Sequence, residues 1–124
     1  MTLAELYSQI DGSYEQAISV LRVEKLIDKH IRKFPQSGIV ERLVEAGKTV
    51  DATELFESAH ALKGVCSNLG LVKIAAAASG IAEEFRPGNG RKMTDDEVKS
   101  KISELDALYK NTVNGINRYI DSVR

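Results

Sequence analysis

The sequence predicts an all-α fold, an antiparallel four-helix bundle with extra helices at its N-terminus. Three observations carry that reading. Helix-start signals recur: Thr2-x-x-Glu5, Ser13-x-x-Gln16 and Thr94-x-x-Glu97 have the capping-box form, and Asp51-x-x-Glu54 is a looser version with Asp as the cap. The only two prolines, Pro35 and Pro87, coincide with turn chemistry. Apolar residues recur every three or four positions, most clearly at Val98, Ile102, Leu105, Tyr109, Val113, Ile116, Ile120 and Val123. That last pattern is the seam of an antiparallel bundle.

In chain order, the caps and spacing place short helices near 3–9 and 13–20. A longer helix near 22–33 carries Leu26, Ile27, His30, Ile31 and Phe34 along one side, which puts His30 in the core or at its boundary. The next, near 37–46, buries Ile39, Val40, Leu43 and Val44. Helices near 51–68 and 71–85 flank Gly70 and form a hairpin. The second of these is rich in alanine, which favours helix and permits close packing. The final helix spans about 94–122, and Gly115 inside it marks a candidate bend. Glycines at 12, 38, 47, 70 and 88 fall at or beside the boundaries, where positive φ is often needed. Pro87-Gly88-Asn89-Gly90-Arg91-Lys92 is a surface loop. Residues 1–21 read as a helical extension and 22–124 as the bundle, together one compact domain.

Composition narrows the function. A chain of 124 residues supports one domain with a real core. Seventeen basic residues against eighteen acidic ones leave a net charge of −1, so nucleic acid is set aside as a partner. The single Cys66 has no partner for an internal disulfide and falls on a buried stripe, which fits packing in a reducing compartment. No apolar stretch approaches the roughly 20 residues that span a bilayer, and the N-terminus lacks the pattern of a signal peptide. Cytoplasmic residence without membrane contact is the expectation.

The most informative run is Ala59-His60-Ala61-Leu62-Lys63-Gly64. At about 100° per residue, Lys63 and Gly64 lie on the face of His60, one turn further on. Leu55, Ala59, Leu62, Val65, Cys66 and Leu69 lie on the opposite face. Glycine in mid-helix costs about 1 kcal/mol relative to alanine. Close approach of another molecule to His60 supplies a reason for it.

The sequence His60-Ala-Leu-Lys63-Gly64-Val-Cys-Ser-Asn-Leu69-Gly70 resembles the signature of histidine-containing phosphotransfer (HPt) domains, of the form His-x-Leu-Lys-Gly with Leu-Gly closing the helix. The resemblance is specific over residues 52–86 and looser, as helix order, over 22–122. It implies a four-helix bundle whose exposed histidine carries a phosphoryl group between receiver-domain aspartates, without a nucleotide site. No Walker-type or kinase glycine loop occurs in the chain, in keeping with a phosphocarrier that is not itself an enzyme.

By that resemblance His60 is the phospho-acceptor, Lys63 the cation beside the phosphoryl oxygens, and Gly64 the position kept small for docking. Arg86, twenty-six positions after His60, matches a basic position of some members. Two departures stand out. Ala82 replaces a Gln or Glu that hydrogen-bonds the histidine ring in several members, leaving Glu83 or a water as substitute, and Val65 replaces a frequent Ser or Gly. The implied partners are response-regulator receiver domains or a hybrid sensor histidine kinase, with Mg²⁺ held by the receiver and no cofactor or metal in this chain. A monomer is expected.

The residue types suit that chemistry. Phosphoryl transfer asks mainly for positioning and charge stabilisation, and histidine ordinarily offers a neutral ring nitrogen near pH 7. A lysine one turn away offsets part of the roughly two negative charges of a phosphoryl group. Phe56, between core and active face, and Ser67, about two turns beyond His60, are candidate partner contacts, and Lys63, Lys73 and Arg86 supply a basic rim. Two other readings are an adaptor bundle that binds partners without phosphate, and a kinase-linked dimerisation domain. Ala61 after His60 argues against the second, where an acidic residue and a Pro-Leu-like pair are usual.

Overall fold

The computed structural model describes residues 1–123. Its elements are α1 (Leu3–Gln9), α2 (Tyr14–Leu21), α3 (Glu24–Lys33), a 3-10 turn (Phe34–Gln36), α4 (Ile39–Lys48), α5 (Ala52–Asn68), α6 (Val72–Glu84) and α7 (Asp95–Ser122). The fold is all-α, and no strand occurs among the described residues. Caps explain where the helices begin. Thr2 and Thr94 close full capping boxes with Glu5 and Glu97. Ser13 and Asp51 each accept one orphan amide, from Gln16 and Glu54.

Helices α4, α5, α6 and α7 form the bundle: α5 packs between α4 and α6, and α7 closes the ring against both. Leu43, Leu55, Leu62, Ile74, Leu105 and Ile116 fill its centre and are inaccessible to solvent or nearly so. Each such side chain contributes about 1.5–3 kcal/mol by leaving water. Two glycines let helices approach where a methyl group would collide. A Cβ on Gly47 of α4 would fall 2.5 Å from Ile102 of α7, and one on Gly115 would fall 2.5 Å from Ile10. Gly47 is the next-to-last residue of α4, beside the boundary as the sequence suggests, and Gly115 lies within a continuous α7; at both positions the glycine also makes room for a neighbouring side chain. Positive φ is confined, among glycines, to Gly38, Gly70 and Gly88.

The side assigned to α3 is corrected. Ile27, Ile31 and Phe34 are buried, but Leu26 and His30 are exposed, because the helix lies on the rim of the bundle and buries a narrower stripe. It is tied to α7 by Asp28, which accepts hydrogen bonds from the Tyr119 hydroxyl (2.5 Å) and the Arg32 Nε (2.8 Å). Partial burial pushes the Asp28 carboxyl up, but those two hydrogen bonds outweigh it and hold the group below its ordinary range.

The N-terminal helices have a role that spacing alone does not reveal. A helix leaves its last carbonyls without intrahelical donors, and α1, α2 and the cap residue before α2 supply donors to the C-terminal end of α5 and the turn that follows it. The Tyr7 hydroxyl bonds the Leu69 carbonyl (2.5 Å), the Ser13 amide the Gly70 carbonyl (2.8 Å), and Gln16 Nε2 the Ser67 carbonyl (2.7 Å). Gly70 itself, at φ +69°, closes a Schellman motif: its own amide reaches the Ser67 carbonyl and that of Leu71 reaches Cys66.

A Cβ at Gly70 would lie 2.1 Å from the Ser13 carbonyl oxygen and on a left-handed backbone. Gly70→Ala should therefore cost about 2 kcal/mol or more in urea denaturation. Tyr119→Phe should be less stable than the parent at pH 7. Because Asp28 is depressed in the folded state, its contribution is present above the ordinary carboxylate pKa of about 3.9 and fades as pH falls through the folded value. The stability gap between the two proteins should therefore close in acid, as read by thermal melts across pH.

Candidate functional site

The site is built on α5. Its buried stripe is Leu55, Ser58, Ala59, Leu62 and Cys66, with Leu69 just past its end, and Val65 is half-buried. Ser58 satisfies its hydroxyl on the Glu54 carbonyl one turn back (2.6 Å). Burial pushes the Cys66 thiol up to about 12, so it remains protonated and serves packing. With that stripe fixed, helical geometry turns His60, Ala61 and Gly64 to solvent, and Lys63 lies partly buried beside them. Outside its own stretch of helix, no atom lies within 4 Å of where a Gly64 Cβ would sit, so no packing inside this chain requires the glycine.

Aromatic and charged groups surround the imidazole. The Phe56 ring stacks on it at 5.6 Å between centroids with 19° between planes. The Arg86 guanidinium lies 5.9 Å from the centre of the Phe56 ring, in reach of a cation–π contact. Arg86 also donates from Nε (3.2 Å) and from Nη2 to the Glu83 carboxylate. Those hydrogen bonds, with the charges of Arg86 and Lys63, hold Glu83 below its ordinary value. On the α4 side, Arg42 holds Glu54 (2.6 Å) and reaches Glu57 (3.4 Å).

Phe56, His60, Lys63, Gly64 and Arg86 thus share one surface. Ser67 is half-buried at the α2 end of α5, with its carbonyl bound by Gln16. Lys73 lies apart from the others: it pairs with Asp11 at 2.9 Å and, with Ile10, Leu108 and Arg118, lines a cleft between α1 and α7. Ala82 is buried, and Glu83 is engaged by Arg86, so no side chain among the described residues hydrogen-bonds the His60 ring. Ring stacking stands in its place. The spacing of Phe56 four residues before His60 is the sequence signal for that stack. The pairing of Glu83 with Arg86 follows from their local three-residue spacing, whereas the placement of Arg86 over Phe56 depends on how α6 docks, which no local pattern encodes.

A cleft of about 330 Å³ opens further along α5, lined by Leu21, Phe34, Ile39, Val65 and Leu69 with His30 and Lys33 also at its wall. Among the described residues, no group of three or more His, Cys, Asp or Glu side chains is placed to hold a metal ion, and no helix is long and apolar enough to cross a membrane.

An exposed histidine with a lysine and a clear glycine one turn on, set on the second of four bundle helices, agrees with the family that the bundle segment of the sequence matches. Residues 36–115 match the family model of the Hpt domain. The chain belongs to the Hpt domain family. Searches of curated proteins and of solved structures each found no match. Membership implies phosphotransfer in two-component signalling, and Hpt domains act there as phosphocarriers rather than kinases. The matched segment takes in α4, α5, α6 and most of α7, which is the bundle of this Hpt domain, while α1, α2 and α3 lie outside it.

Proposed function

We propose that this Hpt domain is a phosphorelay intermediate: it accepts a phosphoryl group on His60 from a receiver-domain aspartyl phosphate and passes it to another receiver. The observation that carries the reading is the open surface of α5, where His60 is exposed, Lys63 adjoins it and Gly64 leaves unobstructed space. In the forward step the lone pair of a neutral ring nitrogen forms the N–P bond. The aspartyl O–P bond breaks with its electron pair going to the carboxylate, and the ring proton stays on the other nitrogen until solvent removes it. The reverse of these steps delivers the group to the second receiver.

Lys63 and Arg86 act on charge. The transferring group bears about two negative charges, and cations placed beforehand stabilise it without reorganisation. Gly64 acts on distance, because transfer requires the aspartyl phosphate to come within contact of the imidazole. Phe56 holds the ring, and Ser67 lies further along the same helix as a partner contact. Lys73 is assigned to the outer rim at most, given its pairing with Asp11. The chain needs no cofactor for these roles; Mg²⁺ belongs to the acidic pocket of the receiver. The donor is a receiver, free or within a hybrid sensor histidine kinase, and the carrier works as a cytoplasmic monomer.

One observation favours a second reading. The absence of a hydrogen bond to the His60 ring among the described residues suits an adaptor that binds receivers without taking phosphate. The two readings separate on labelling. Incubated with a phosphorylated receiver, the protein should acquire a label lost in acid and kept in alkali, and His60→Gln should abolish it while circular dichroism remains helical. Binding that persists with no label on the parent protein would leave the adaptor.

Gly64→Gln separates docking from folding. Its stability should stay within about 1 kcal/mol of the parent or rise, since glutamine is the better helix former. Its transfer rate should fall at least about tenfold, because the side chain occupies the approach path. An unchanged rate in single-turnover transfer would refute the assigned approach.

A further inference from the structure

Two cations lie around His60, Lys63 one turn on along α5 and Arg86 beyond the Phe56 ring, and one carboxylate engages or faces both. Glu83 takes three hydrogen bonds from Arg86 and lies in the field of Lys63. Arg86 in turn extends over Phe56, whose ring is stacked on the imidazole. The path from His60 through Phe56 to Arg86 and Glu83 is therefore continuous and ends on an anion. Glu83 makes no bond to the imidazole, so it is not the substitute for the ring partner missing at Ala82. Its carboxylate sits where it neutralises the groups that a phosphoryl group would need.

We propose that Glu83 is the resting counter-ion of the acceptor face: it holds Arg86 across Phe56 while His60 is bare, and yields Arg86 to the phosphoryl group once His60 carries one. The inference rests on the phospho-acceptor reading of His60. No covalent bond changes in this exchange; Arg86 trades its hydrogen bonds to a carboxylate for hydrogen bonds to phosphoryl oxygens.

Three features make the exchange favourable and reversible. The pair is exposed, with side-chain accessibilities of 45% for Arg86 and 52% for Glu83, and such pairs three residues apart hold weakly. Arg86 lies just past the C-cap Phe85 of α6 with its side chain open to solvent. The phosphoryl group offers about twice the charge of a carboxylate and three strong acceptor oxygens, and a guanidinium pairs with it bidentately. Phe56 stays in place beneath the moving guanidinium as a flat, cation-accepting surface. In the bare site Glu83 thereby offsets the charge of one of the two cations, and Arg86 becomes available when the phosphoryl charge arrives.

The test uses the full chain and a receiver domain carrying ³²P-labelled aspartyl phosphate, brought to equilibrium so that the label partitions between the two proteins. Glu83→Gln should raise the share on His60 by about threefold or more, because Arg86 no longer has to leave a carboxylate. Arg86→Gln should lower it. In the Arg86→Gln background the effect of Glu83→Gln should shrink by more than half, as coupled residues require. A purely structural role for Glu83 would move melting temperature and leave the partition unaltered. If the parent takes label but Glu83→Gln leaves the partition unchanged or lowers it, the counter-ion role is wrong and the carrier reading stands. An effect that keeps more than half its size without Arg86 likewise overturns the exchange. A parent protein that takes no label overturns both.

Discussion

Everything at the acceptor face depends on holding α5 by its back and its ends alone. The stripe of Leu55, Ala59, Leu62 and Cys66 anchors it to the bundle. Asp51 caps one end; a Schellman turn, with three donors from α1, α2 and the cap residue before α2, caps the other. On the opposite side only exposed side chains reach the helix, Arg42 to Glu57 and Arg86 to Phe56, so His60 and Gly64 stay uncovered on a rigid element. A glycine exposed in mid-helix costs about 1 kcal/mol, and the buried stripe offsets that several times over. The N-terminal helices thus belong to the functional argument: they hold the end of the acceptor helix while leaving its face clear.

Electrostatics around the face follows a different rule from the core. The core ties, such as Asp28 with Tyr119, join separate helices and are partly buried. The pairs near His60, Arg42 with Glu54 and Arg86 with Glu83, are exposed and exchangeable. A carrier must take up and release a charged group within the lifetime of a transient complex. Weakly held cations beside a rigid helix suit that demand better than deeply buried ones, which would bind the phosphoryl group without returning it.

Much of this was legible in the sequence because it is local. Thr2 and Thr94 with their glutamates announce helix starts three residues ahead. The period of α7 names its buried side, and the His60–Gly64 spacing names a shared face by geometry alone. What was not legible depends on tertiary docking. His30 looked apolar-flanked by periodicity, yet α3 sits on the rim and turns it outward. Gly47 and Gly115 looked like boundary or bend residues, yet each also admits an isoleucine from a distant segment. Lys73 reads from the sequence as a rim cation, yet Asp11 of a distant segment pairs with it. The Phe56–His60 stack and the Glu83–Arg86 pair are signalled by spacing, whereas the contact of Arg86 with Phe56 that joins them requires the placement of α6.

Because both histidines are exposed, the most direct measurement is one that watches each ring. A ¹H–¹⁵N spectrum of the imidazole groups, recorded before and after incubation with a phosphorylated receiver, distinguishes His60 from His30 in one experiment. The account predicts large ring-nitrogen shifts at His60 that revert on acid treatment, with His30 unchanged. Shifts at His30, or none at either ring while the receiver loses its phosphate to the chain, would contradict it.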